Sequence, residues 1–194
     1  MAKFDPDAPV LVAVGEASRK SLAMEWPSPV DLAGAAIRQA LTDSGAGDAL
    51  GAAIDCVAAI RTFEDSGLAM GTGSPDNVPH AYAVAGGISA EHHVYADIGG
   101  QSPQALVSEF AEKLRSGQHK AVLIAGAEAI GTAKRARKAG VELNWRMESD
   151  RPFDNRLSDF PILDRAEIRH GIISMPLAYS LIENARAAAN PAAR

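Results

Sequence analysis

The sequence contains a single cysteine and no long apolar run. Cys56 alone excludes a disulfide within the chain and any metal site built only from its own thiolates. No stretch approaches the roughly 20 apolar residues that a membrane-spanning helix needs. The first residues, MAKFDPDAPVLV, carry acidic side chains where a signal peptide carries a cationic region. We therefore expect a cytoplasmic protein without a membrane partner.

An excess of positive charge is also missing. The chain has 24 acidic residues against 19 lysines and arginines, which gives a net charge of -5. Because a nucleic-acid surface needs a basic footprint, we expect no nucleic-acid partner. With 194 residues, 47% of them apolar and 22% charged, the chain suits a soluble globular protein with a sizeable core.

The sequence does contain an alternation of strand-like and helix-like segments. Short apolar runs predict strands at residues 9–17 (PVLVAVGEA), 53–60 (AIDCVAAI), 92–97 (HHVYAD) and 120–129 (KAVLIAGAEA). A helix is predicted to begin at Ser28 and Pro29 and to stop at Gly45, and further helices are predicted at residues 81–85 and 102–116. The order βαβαβαβ predicts a parallel sheet with helices on both faces.

The character of the chain changes near Thr132. The following residues are charged and keep neither the strand nor the helix period for long, which is typical of an inserted loop lying over a site. A helix returns at residues 174–189 (SMPLAYSLIENARAAA). We therefore divide the chain into an α/β domain at residues 1–131 and a loop-domain-like insertion with a C-terminal helix at residues 132–194.

The segment YADIGGQSPQAL joins the third predicted strand to the next helix. Gly99 and Gly100 could offer backbone N–H groups to an anion at the helix N-terminus, but the spacings of a dinucleotide fingerprint and a Walker loop are absent. Ser102 matches the serine of a G-x-S-x-G nucleophile elbow, yet Gln104 replaces the closing glycine. We predict that Ser102 caps the helix and that Pro103 lies in its first turn. This leaves the two glycines unexplained.

The cysteine and the histidines each admit a structural interpretation. Cys56 lies in the middle of a strand and is predicted to be a small buried hydrophobe. His92 and His93 are adjacent on a strand and point to opposite faces, so we predict no metal site there. His119 follows the end of a predicted helix, where a cationic imidazole ring is stabilised by the negative end of the helix dipole. His170 lies in the loop-like region and is our candidate for proton transfer.

The run KRARK places four cations in five positions. Such a run is commonly a solvated face. Lys134, Arg135 and Arg137 could instead bind the phosphates of a nucleotide-bearing substrate, because arginine pairs with phosphate oxygens in a two-pronged manner. Both interpretations stay open at this point.

Four segments carry a resemblance to a known family: PVLVAVGEASR, SPVDLAGAAIRQALTDSG, GGQSPQALVSEFAEKLRSGQHKAVLIAGAEAI and HGIISMPLAYSLIENA. The chain resembles the N-terminal half of the thiolase superfamily, in particular its sterol-carrier-protein-associated, acetyl-CoA acetyltransferase-like branch. The resemblance implies a thiolase-like half with part of an inserted loop domain. It also implies a role in lipid metabolism, a coenzyme A thioester as substrate with no permanently bound cofactor, and a homodimer formed through the strand around Val94 and Asp97.

The resemblance breaks at the nucleophile. Matching Gln104 and Ala105 with the thiolase pattern puts Gly99 where the reactive cysteine would be, and glycine has no atom that attacks a thioester. Gly99 and Gly100 would instead leave room for substrate and donate N–H groups. Thiolases also have two similar halves, so this chain is expected to be incomplete alone. It is either an acyl-CoA acyltransferase or carbon–carbon lyase completed by residues outside the chain, or a non-catalytic subunit that supports a partner enzyme.

Overall fold

Four parallel strands form the centre of the fold in the computed structural model of this chain, which describes residues 5, 8–66, 70–157 and 164–190. The chain forms two compact units, Met1–Leu157 and Ser158–Arg194. The predicted division into domains at residue 131 stays a prediction. No helix within the described residues is both long and apolar enough to cross a membrane.

The first unit contains eleven described elements, in this order: α1 (Arg19–Leu22), α2 (Pro29–Asp43), α3 (Gly47–Ala53), β1 (Ile54–Ile60), a 3-10 turn (Glu64–Ser66), α4 (Val78–Gly86), β2 (His92–Ala96), α5 (Ser102–Arg115), β3 (Ala121–Ala125), α6 (Ile130–Lys138) and β4 (Asp154–Asn155). The second unit contains α7 (Arg165–Arg169) and α8 (Met175–Ala189). The helix predicted at residues 174–189 is therefore confirmed.

The strands follow the order β3-β1-β2-β4, and every pairing is parallel. Successive residues of β1 serve opposite faces, because side chains alternate along a strand. Val57 and Ala59 join a core cluster with residues of α2 and α4, whereas Cys56 and Ala58 join a second cluster with residues of α5. Helices thus cover both faces of the sheet, which confirms the predicted α/β class.

Residues 9–17 do not form a strand, so that prediction was wrong. Their valines and leucine are largely exposed, and side chains of α2 bind their backbone. The Val14 N–H donates to the Asp43 carboxylate over 3.1 Å, and the Glu16 N–H donates to the Gln39 side chain over 3.0 Å. A Cβ on Gly15 would collide with the backbone of α2. An apolar run rich in β-branched residues shows that a segment suits a strand. It does not show that a neighbouring strand is available to pair with that segment.

The predicted start of α2 is confirmed. The Ser28 hydroxyl accepts the Asp31 N–H over 3.1 Å, the Asp31 carboxylate accepts the Ser28 N–H over 2.8 Å, and Pro29 is in the first turn. This reciprocal pair satisfies two N–H groups that the helix itself leaves unbonded. The prediction for α5 was wrong in one respect. Ser102 is the first helical residue, and its N–H donates to the Gly99 carbonyl over 3.1 Å, so it does not cap the helix.

The segment after Thr132 is more regular than predicted. It begins as α6, whose buried face consists only of Thr132, Ala133 and Ala136. Residues this small produce a weak hydrophobic pattern, so the charged positions between them dominated the prediction. After α6 a segment without helix or strand leads to the two-residue strand β4.

Candidate functional site

Three strands of the parallel sheet end at one edge, and chemically capable residues follow each of them. Thr62 and Glu64 come after β1, Gly99 and Gly100 come after β2, and Glu128 comes after β3. Ligands of open parallel sheets bind at the carboxyl ends of the strands. The candidate site is therefore this edge.

A tyrosine links the loops at this edge. The Tyr95 hydroxyl donates to the Asp65 carboxylate over 2.6 Å and accepts the Thr62 N–H over 3.1 Å. The Ser74 hydroxyl also donates to Asp65 over 2.8 Å. Burial and the neighbouring carboxylate raise the pKa of Tyr95, so its hydroxyl stays protonated and keeps donating.

A second carboxylate shapes the loop that follows. Glu64 accepts the backbone N–H of Gly73 over 2.8 Å and also that of Met70. The loop from β1 to α4 is thus folded back on acidic side chains from its own beginning. Glu64 and Asp65 each accept two hydrogen bonds from other groups of this edge in this arrangement.

A small cavity of about 20 Å³ lies within the edge, lined by residues that include Thr72, Tyr82 and Glu128. The hydroxyls of Thr72 and Tyr82 are buried and have no hydrogen-bond partner in the described part of the chain. Glu128 accepts the Phe63 N–H over 2.8 Å, and partial burial raises the pKa of its carboxyl group. The cavity has room for a single water molecule but not for a substrate.

The two glycines form the turn between β2 and α5. Gly99 has a φ of 135°, a conformation that favours glycine, and a Cβ there would collide with the Gln101 side chain. Cys56 supplies no alternative nucleophile at this edge. It is fully buried in β1, and burial raises the pKa of its thiol to about 12, which confirms its predicted role as a buried hydrophobe.

The basic run lies on α6, which follows β3 at the same edge of the sheet. Lys134, Arg135 and Arg137 are exposed, and none forms an ion pair with a carboxylate of the described residues. Arg137 lines an open cavity of about 290 Å³, which Thr72 also lines. The structure thus brings Arg137 next to the small cavity. It does not place Gly99, Gly100, Lys134 or Arg135 in the lining of either cavity.

His170 belongs to the second unit, where it is exposed and follows α7 directly. Its role in proton transfer stays a prediction. His92 is exposed and His93 is buried, as alternation along the strand predicts, and burial lowers the pKa of His93 to about 4. His119 lies 3.0 Å from the Asp55 carboxylate, in keeping with a structural role. No cluster of the described residues could hold a metal ion.

The prediction from sequence missed the polar residues of the edge itself. Tyr95 was not singled out because it lies in a predicted apolar strand. Thr72 and Tyr82 were not singled out because neither belongs to a recognisable sequence motif. One signal was available, since Glu64 follows a predicted strand within a few residues and Glu128 lies at the end of another. The tendency of parallel sheets to bind ligands at strand ends would have identified both.

Sequence comparisons give no match: no protein-family model matches this chain, and no curated protein does. Among solved structures, the chain is similar to a monomeric SCP2-thiolase like protein type 1 from Mycobacterium smegmatis. The two are 36% identical with a TM-score of 0.53, over 66% of this chain and 25% of that one. This chain has a thiolase-like fold. The predicted resemblance is thereby confirmed at the level of the superfamily, while its restriction to an N-terminal half stays a prediction.

Proposed function

We propose that this thiolase-like chain handles acyl-CoA thioesters in cytoplasmic lipid metabolism, as part of an acyltransferase or a carbon–carbon lyase. The observation that carries the proposal is the set of unpaired cations on α6. One of them, Arg137, lines an open cavity at the carboxyl edge of the thiolase-like sheet. The thiolase-like fold also supports the proposal, because the resemblance to thiolases implies a coenzyme A thioester as substrate.

Coenzyme A presents several phosphate groups, and guanidinium groups bind phosphate oxygens in a two-pronged manner. Arg137 lines the cavity, and Lys134 and Arg135 on the same helix add to the positive field around it. Arg135 and Arg137 also lie in the last turn of α6, where positive charge stabilises the helix whether or not a ligand binds. A test must therefore measure binding rather than stability.

The proposed reaction proceeds without a covalent acyl-enzyme. Residue 99 has no side chain, and the only thiol of the chain is buried in β1. In a retro-aldol cleavage a base removes the proton of the β-hydroxyl group and the bond between the α- and β-carbons breaks. The electron pair passes to the thioester enolate, which is then protonated. No step needs a bond to the protein, and we propose His170 and residues outside this sequence for the proton transfers.

The proposal is tested by titrating coenzyme A and acetyl-CoA into the chain by calorimetry. We expect R135E/R137E to weaken binding at least tenfold. The matched control is R115E/K120E, which changes the net charge equally at exposed positions outside α6. Equal affinities of both double variants for coenzyme A would refute the role of α6, because a local phosphate contact must distinguish them.

A second candidate function is a non-catalytic subunit that supports a partner enzyme. It is favoured by the size of the cavity among Thr72, Tyr82 and Glu128, which admits water only. The two functions differ in turnover. A complete assembly that binds coenzyme A but neither cleaves nor transfers an acyl group would favour the non-catalytic subunit.

A further inference from the structure

Two buried hydroxyl groups at the carboxyl edge of the sheet lack a hydrogen-bond partner among the described residues. Thr72 lies in the loop before α4 and is 7% exposed, and Tyr82 lies on α4 and is 0% exposed. Neither side-chain oxygen bonds to another group of the described chain. A buried hydroxyl that leaves water without gaining a partner loses the free energy of its hydration. Both groups therefore point to a bound partner that is not part of the protein.

The two residues line the same small cavity of about 20 Å³. This volume is sufficient for one water molecule, which needs about 10–15 Å³. Val78 and Ala133 also line the cavity, and a cavity lined only by such apolar groups would stay dry. The hydroxyls of Thr72 and Tyr82 change that balance, because they offer the polar partners that a bound water requires.

Glu128 supplies a third polar group to this cavity. Its Oε1 atom accepts the Phe63 N–H over 2.8 Å, and its Oε2 atom forms no hydrogen bond within the described residues. The three groups also suit a water molecule in the direction of their hydrogen bonds. Burial raises the pKa of Tyr82, so its hydroxyl stays protonated and can donate to the water oxygen. Glu128 Oε2 can accept a proton of the water, and the Thr72 hydroxyl can donate or accept.

We propose that this cavity is a specific hydration site, in which one ordered water molecule bridges the side chains of Thr72, Tyr82 and Glu128. The water joins the loop before α4, α4 itself and the residues that follow β3. Immobilising one water costs less free energy than leaving two buried hydroxyls unpaired. Thr72 also lines the open cavity next to Arg137, so the water fixes one wall of that cavity. The inference does not depend on the proposed substrate.

The hydration site is tested with Thr72→Val, which replaces the hydroxyl by a methyl group of similar size. We expect the equilibrium constant for unfolding in urea to rise about three- to tenfold, because the water loses a partner. In the Tyr82→Phe background the same substitution should change that constant less than about twofold, because the water is already held less tightly there. Thr42→Val is the matched control and should also stay within about twofold. Thr42 is exposed on α2, and its hydroxyl donates to the Arg38 carbonyl of the same helix.

Direct observation of the water keeps the test decisive if Thr72→Val unfolds. In a high-resolution crystal structure of the unmodified chain, we expect a water oxygen within about 3.2 Å of the Thr72 and Tyr82 hydroxyl oxygens. Magnetic relaxation dispersion of the oxygen-17 nucleus of water counts long-lived bound waters in solution. The unmodified chain should hold one more such water than the double variant Thr72→Val/Tyr82→Phe.

Three results would overturn the proposal. Thr72→Val could leave stability unchanged or raise it, as the removal of an unpaired hydroxyl from a dry cavity would do. The crystal structure could show no water in the cavity, or a water that contacts only one of the two hydroxyls. The Thr72 or Tyr82 hydroxyl could also bond directly to another protein group, which would remove the need for a water.

Discussion

Two buried tyrosines of the first unit differ in whether their hydroxyls are used. Tyr95 is 3% exposed and its hydroxyl donates to Asp65 and accepts the Thr62 N–H. Tyr82 is 0% exposed, and its hydroxyl lies near the Ala127 backbone without forming a hydrogen bond of normal geometry. Replacing each with phenylalanine removes the same atom from a different environment.

The expected costs follow from the partners left behind. Tyr95→Phe leaves the buried Thr62 N–H without an acceptor, which costs about 1–3 kcal/mol. It also removes a hydrogen bond to the Asp65 carboxylate, although Ser74 still donates to that group. We expect a total of about 2–4 kcal/mol for Tyr95→Phe. Tyr82→Phe removes a buried hydroxyl that has no hydrogen-bond partner of normal geometry among the described residues, so we expect a change of less than about 1 kcal/mol in either direction.

Urea unfolding followed by tryptophan fluorescence measures both changes, and the slope with denaturant should stay the same in each variant. The Arg61 side chain can still stack on the ring of Tyr95→Phe, so any loss reports on the hydroxyl. Costs that agree within about 0.5 kcal/mol for the two variants would refute the assignment of hydrogen bonds at this edge.

Three further predictions concern single residues. The two-pronged pair with Arg156 lowers the pKa of the Glu109 carboxyl group from 4.5 to about 2. The contribution of the pair to stability is therefore present above pH 4.5 and is lost as the pH falls towards 2. Because the pair is partly exposed, we expect about 1 kcal/mol. It is measured as the part of the fall in urea stability from about pH 6 to about pH 3 that Glu109→Gln lacks, since other carboxyl groups also titrate in this range. The Cys56 thiol should react with a disulfide reagent only on unfolding; rapid reaction of the folded chain would contradict its burial. Gly34→Ala places a Cβ 2.7 Å from that of Ala85 and should cost about 1–3 kcal/mol, whereas Gly51→Ala, whose Cβ meets only ordinary contacts, should be neutral or stabilising.

Local signals in the sequence were sufficient for much of the fold. The start of α2 depends on Ser28 and Asp31, which lie within one helical turn of each other, so the pattern contains the whole interaction. Strand β1 and the helix predicted at residues 174–189 were equally apparent. A strand that is buried on both faces appears in the sequence as a continuous apolar run, and a helix appears as a regular apolar period.

The misplaced elements depend on partners that are distant in the chain. Residues 9–17 suit a strand, but Gln39 and Asp43 take the N–H groups that a neighbouring strand would need. Asp154 and Asn155 have no strand-like pattern and pair with β2 because Arg61 and Arg156 hold them there. The contact between Tyr95 and Asp65 likewise joins residues that no local pattern connects.

The parallel sheet also has a consequence for how the chain folds. Even the shortest-range pairing, between β1 and β2, joins Cys56 to His92, and β1 meets β3 only when Ala121 has reached Ile54. No hairpin can therefore nucleate this sheet. Each pairing requires the closure of a long loop, and the entropy cost of that closure precedes the stabilisation from the strand contacts. We expect slow folding in which the edge of β1 that pairs with β3 remains open during synthesis until β3 has emerged from the ribosome.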